Sequence, residues 1–215
     1  MSTAPDDLVG LEPRGAISPV LPLHLLLSVR EHDRPLEVLE DEDLVASLPR
    51  RLGLKGVIDS QIRNYEQAVK RKRPVAAADV GSLIRLVLRR PDAEEILREA
   101  GERFAEQWTQ RRRRRARFAR SLPRRARFSV ARRAARKLLR QIIGEGSIEI
   151  SGRPLAIRVR RGVVTHVDPT GRACALYEAA LGTVVRVYTG NAGHLVHERC
   201  STQEAPYCEW MLVEG

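Results

Sequence analysis

Three cysteines and a histidine, Cys174, His197, Cys200 and Cys208, are the residues whose types and spacing suit a transition metal. Zinc takes four tetrahedral ligands and favours thiolate and imidazole, so these four would make a Cys₃His set with no open position. Such a site is structural, because metal binding worth about 10–16 kcal/mol in zinc-finger peptides is coupled to folding. A catalytic pair of Cys200 with His197 is a second possibility, but it competes with the metal for the same side chains. The third is that the cysteines are small buried hydrophobes, which are common in cores.

These residues need particular elements to bring them together. The spacing of Cys174, Tyr177, Leu181, Val184 and Tyr188 predicts a helix with the first cysteine at its start. Two strands follow, His194 to Cys200 and Tyr207 to Val213. The turn at 201–206 reverses the chain between them, bringing Cys200 close to Cys208. Residues three apart on a strand point to opposite faces. His197 and Cys200 therefore share one metal only if the strand bulges or ends between them.

Upstream, alternation over Ser147–Ile150, Leu155–Val159 and Val163–Val167 predicts three further strands. Earlier still the period is helical. One helix is expected over Leu54–Arg71, ended by Pro74, and another over Asp79–Arg90, stopped by Pro91. Asp92 with Glu95 reads as a capping box for a third, which carries Ile96, Ala100, Phe104 and Trp108 on into an arginine block. Ser129 reads as the cap of a fourth, running through Ile142 and ended by Gly144 and Gly146.

Residues 1–40 hold Pro5, Pro13, Pro19 and Pro22 and read as a partly extended arm, leading to a short helix near Leu44–Leu48. Residues 41–215 then form a single domain. The expected class is α+β: N-terminal helices packed on an antiparallel sheet of about four strands, with one helix inserted between strand pairs.

Composition narrows the function. The chain has 215 residues, 43% hydrophobic and 30% charged, which suits a globular domain. No run approaches the roughly 18 apolar residues of a transmembrane helix. No basic region precedes an apolar run at the N-terminus, and three cysteines are too few for a disulfide scaffold, so a reducing cytoplasm is expected.

The net charge of +11 is concentrated. Residues 111–140 hold fifteen Arg or Lys and no acidic residue, and the rest of the chain is mildly acidic. Arg111, Arg112, Arg113, Arg114, Arg115, Arg117, Arg120, Arg124, Arg125 and Arg127 are the anion-binding candidates, with Phe118 and Phe128 interleaved and Pro123 splitting the run into two helices. Phosphate backbones neutralise such density with release of counterions. An acidic partner, the chain's own acidic stretch at 37–43 or an anionic membrane surface would serve the same charge. Any nucleic-acid binding would be sequence-independent.

The segments Cys174-Ala175-Leu176-Tyr177-Glu178-Ala179-Ala180-Leu181, His194-Leu195-Val196-His197-Glu198-Arg199-Cys200 and Tyr207-Cys208-Glu209-Trp210 resemble the 4-vinyl-reductase domain family. That family is related to TRAPP small subunits and to the sensor domains of bacterial activators that detect aromatics. The resemblance covers roughly 79–213, with Ala100-Gly101 and Gly144-Glu145-Gly146 as weaker matches. In the aromatic-sensing members three cysteines at the same spacing and one glutamate hold zinc. His197 stands at the glutamate's place here, with Glu198 as the neighbouring alternative. The turn Gln203-Glu204-Ala205-Pro206 also lacks the family's glycine.

The resemblance implies a TRAPP-like fold, a homodimer, and an apolar pocket between helices and sheet. Phe104, Trp108, Tyr177 and Trp210 are the pocket candidates, the alternative being that they are core aromatics. It favours a non-catalytic, zinc-stabilised sensor or adaptor that binds a small apolar ligand or a protein partner. A nucleic-acid-associated protein acting through the arginines is the alternative. An enzyme of tetrapyrrole vinyl reduction is a third reading, weakened by the lack of a glycine-rich nucleotide loop or an evident acid–base pair, and by a closed zinc.

Overall fold

The structure is a computed structural model, and residues 12–33, 55–152, 155–168, 170–190, 194–201 and 207–213 are described. The class is α+β. In chain order the elements are β1 (Ala16–Ile17), α1 (Val20–His32), α2 (Lys55–Lys70), β2 (Val75–Ala76), α3 (Ala77–Leu88), α4 (Ala93–Gln110), α5 (Arg113–Ser121) and α6 (Arg124–Leu139). They continue with β3 (Ser147–Ile150), β4 (Ala156–Arg160), α7 (Val163–Val167), α8 (Cys174–Thr189), β5 (His194–Arg199) and β6 (Cys208–Val213). The main sheet is antiparallel in the order β3-β4-β6-β5, and β1 pairs with β2. Helices α7 and α8 lie in sequence between the strand pairs β3–β4 and β5–β6.

Helix α8 is the centre of the fold. It packs against α4, α5, α6 and β5. Leu176, Tyr177, Ala180, Leu181 and Val184 on it are fully buried. This helix is apolar around most of its circumference, as an internal helix must be. Gly190, left-handed at φ +78°, terminates it.

The approach of α4 to α8 depends on Gly101. A Cβ there would stand 2.3 Å from the Leu176 carbonyl oxygen and 3.3 Å from the Ala180 nitrogen, both backbone atoms that cannot turn aside. Gly101→Ala is therefore expected to prise the two helices apart and cost about 1–3 kcal/mol. A urea unfolding curve would check this; an unchanged midpoint would mean the contact is looser than the geometry requires.

Several expectations are corrected. The described part of the arm, residues 12–33, is packed: α1 buries Val20, Leu21, Leu25, Leu26 and Val29 against α4. Pro19 is the N-cap of α1 and Pro22 lies in its first turn, where a missing N–H leaves no hydrogen bond unmade. The short helix near 44–48 and the acidic stretch at 37–43 lie outside the described residues.

Val163–Val167 is a helical turn, not a strand. Val163, Thr165 and Val167 alternate, but Val163, Val164 and Val167 are all buried, and Thr165 Oγ1 donates back to the Gly162 carbonyl. Asp92 precedes α4 without a side-chain cap, because its carboxylate takes the Arg90 guanidinium instead, at 2.8 and 2.9 Å. Ser129 lies inside α6, whose N-cap is Pro123. Helix α4 ends at Gln110, so it does not continue through the arginine block, which is carried on α5 and α6.

Candidate metal centre

The first residue of α8 and the facing ends of β5 and β6 meet at one point. Cys174, His197, Cys200 and Cys208 each bring a ligand atom there, all within 4.8 Å of one another. The sulfur separations are 3.5 Å for Cys174–Cys208 and 3.9 Å for both Cys174–Cys200 and Cys200–Cys208. A tetrahedron with metal–sulfur bonds of about 2.3 Å has edges of about 3.8 Å, so the three thiols already stand at a spacing that suits it. All three cysteines are buried and unbridged.

The strand geometry meets the condition set by the sequence. His197 pairs with Trp210, yet Arg199 pairs with Glu209, so the register slips by a residue between them. Cys200 lies just past the end of β5. The slip and the strand end together turn His197 and Cys200 toward the same point. Glu198, the alternative ligand, is exposed and outside the cluster.

The supports of the cluster come from residues that spacing alone did not mark. Trp210 is fully buried, stacks on the His197 ring at 5.0 Å and 15°, and meets Tyr177 edge-on at 6.0 Å. The imidazole is thereby held in one plane. Its buried Nε2 has no hydrogen-bond partner, a costly state that a metal bond would relieve.

Glu209, also buried, accepts from Arg158 Nε at 2.7 Å and faces Arg199 at 3.8 Å, linking β4 to the residue at the slip. Ser201 donates its N–H to the Cys208 sulfur at 3.4 Å. Asp168 organises the turn before α8. It accepts from the Thr170 N–H at 2.8 Å, the Thr170 hydroxyl at 2.6 Å and the Ala173 N–H at 2.5 Å. In the sequence Asp168-Pro169-Thr170-Gly171 is a run of turn-favouring residues. Asp168→Ala is expected to cost about 1–2 kcal/mol and to loosen Cys174; thermal unfolding with and without metal would show both effects.

The charges at the cluster are unequal. Cys174, His197 and Ser201 beside it hold Cys208 well below the usual thiol range, against the effect of burial. Cys174, which donates, is pushed up by its neighbours Cys200 and Cys208 and by burial. Burial opposes a charged His197, but Cys208 and Cys200 beside it carry its pKa upward. A readily ionised thiol beside two others is a ready seat for a cation.

The other candidates divide. Tyr177 and Trp210 belong to the surroundings of the cluster, as above. Phe104 and Trp108 line a separate open cleft of about 700 Å³, together with Arg111, Arg112, Arg113, Arg114 and Arg115. The Arg112 guanidinium lies 3.9 Å over the Trp108 ring and donates to the Trp108 carbonyl at 3.0 Å. Arg117 and Arg125 are exposed. Arg120 donates to the Val187 carbonyl and Arg127 to that of Leu122. Arg124 lies 5.9 Å from the centre of the Phe128 ring. Pairing of the block with the acidic stretch 37–43 falls outside the described residues. No described helix is long and apolar enough to cross a membrane.

No protein-family model, curated protein or solved structure matches this chain.

Proposed function

We propose that this chain is a non-catalytic sensor or adaptor domain whose binding unit is stabilised by zinc held by Cys174, His197, Cys200 and Cys208. The observation that carries this reading is the convergence of four buried or half-buried ligand atoms within 4.8 Å, all supplied by the chain itself. Three sulfurs and one imidazole suit zinc, and four protein ligands leave no position for substrate or water. The metal would tie the start of the central helix to the β5–β6 hairpin. Metal and folding would then be one equilibrium.

The resemblance of residues 174–213 to the 4-vinyl-reductase family agrees with a binding role, and with it we propose a homodimer. Chelator titration of the purified protein tests the reading. Zinc removal is expected to lower the melting temperature sharply and to abolish binding of the domain's ligand or partner. Removal that leaves the melting temperature unchanged contradicts it.

One observation favours a second reading, association with nucleic acid. Phe118 is 68% exposed among the exposed arginines of α5, a pairing of ring and cation that suits single strands.

A further inference from the structure

The cleft beside α5 is built from a different set of residues from the metal centre. Its floor is Phe104 and Trp108, and its rim is the run Arg111 to Arg115. No carboxylate lines it among the described residues, and no described ion pair involves these five arginines. Five like charges on consecutive residues repel one another, and among the described residues no carboxylate stands against them.

Three further features point to an oxyanion. Helix α5 begins at Arg113 inside this run, and no side chain caps it, so its first N–H groups and the positive end of its dipole face the same neighbourhood. Trp108 is only 5% exposed, lines the cleft, and its Nε1–H has no hydrogen-bond partner. Arg112 is partly withdrawn from water, which lowers its pKa; the Tyr188 hydroxyl opposes this, and the charges of Arg115 and Arg111 add to it. A bound anion would compensate the uncapped helix end and the crowded Arg112.

We infer that the cleft binds a small molecule bearing two or more adjacent phosphate groups. Guanidinium forks match phosphate oxygens bidentately, and adjacent phosphates concentrate charge as the arginines do. A duplex backbone spreads its phosphates along a rod, whereas the arginines here are gathered at one open cleft. Gln107, Gln110 and Gln141 on the cleft wall are neutral amides suited to the uncharged part of such a ligand. This inference rests on the binding-domain reading above and names its ligand class.

Calorimetry on the full chain, with metal content measured on the same sample, tests it. The probes are inorganic phosphate, pyrophosphate, a nucleoside triphosphate and a short DNA duplex. Pyrophosphate is expected to bind at least about tenfold more tightly than phosphate. Equal affinity for the triphosphate assigns recognition to the phosphates alone; a tighter triphosphate adds the amides. The paired variant Arg113→Gln with Arg114→Gln, at exposed positions, is expected to lose about tenfold or more, while Arg133→Gln with Arg136→Gln on α6 changes little.

No pyrophosphate binding by folded, metal-containing protein overturns the inference and leaves the metal reading standing. So does affinity unmoved by the α5 variant, or a preference for the duplex that the α6 variant removes. Binding to protein that holds no metal upholds the cleft and overturns the metal reading.

Discussion

Replacing Cys208 by serine is expected to empty the metal centre and to cost the fold several kcal/mol. Cys208 is fully buried, lies 3.5 Å and 3.9 Å from the other two sulfurs, and its pKa is held well below the usual thiol range. A serine hydroxyl is a poor zinc ligand, and here it would sit in a site that excludes water. If about 5 kcal/mol of metal-linked stability is lost, the melting temperature of a domain this size falls by about 10–20 °C.

The pH dependence has a definite sign. Metal uptake must displace the proton that Cys174 holds tightly, so affinity rises with pH and the metal is released as pH falls. Thermal unfolding of the variant and of the parent chain, with metal content measured across pH, checks both statements. A variant that keeps its metal, or a parent that binds more tightly in acid, would contradict them.

The second large effect is expected at a residue that is not a ligand. Trp210→Ala removes a fully buried indole from β6, a deletion of the kind that costs about 3–5 kcal/mol. It also removes the surface against which the His197 ring is stacked at 5.0 Å. An imidazole free to turn is a weaker ligand, so metal affinity should fall by about 10–100-fold, as it does when outer supports are lost. Trp210→Phe keeps a stacking face and should recover most of the affinity at a smaller cost in stability. Competition with a chromogenic chelator separates the two quantities. Equal metal affinity in the alanine variant would show that the stack does not position the ring.

Much of the metal centre was legible before any coordinates. Helical spacing put Cys174 at the start of a helix, and alternation put Cys200 and Cys208 on a reversing pair of strands. The parity of a strand then demanded a bulge or an end between His197 and Cys200, and both are present. The supports were harder to see, because their roles depend on the register of strands distant in sequence. Glu209 meets Arg158 across β4–β6, a pairing with no local signature. Trp210 read as a pocket residue because an apolar ring gives no sign of which partner it will cover.

The errors elsewhere share a cause. Local patterns carry two meanings, and tertiary packing chooses between them. Prolines at 19 and 22 mark an irregular chain or the first turn of a helix, and burial of Leu21 and Leu25 against α4 selects the helix. Val163, Thr165 and Val167 alternate as a strand would, but Val163, Val164 and Val167 are buried together and the segment closes into a helical turn. Arg111 to Arg115 read as one continuous basic run, and the break between α4 and α5 places them along a cleft.

The most direct measurement is X-ray absorption at the zinc edge, with elemental mass spectrometry, on protein purified under reducing conditions without chelator. A closed Cys₃His centre requires about one zinc per chain, with three sulfur neighbours, one imidazole nitrogen and no water oxygen. Protein free of metal, or zinc with an open oxygen position, would contradict a structural centre and return Cys200 and His197 to consideration as a reactive pair.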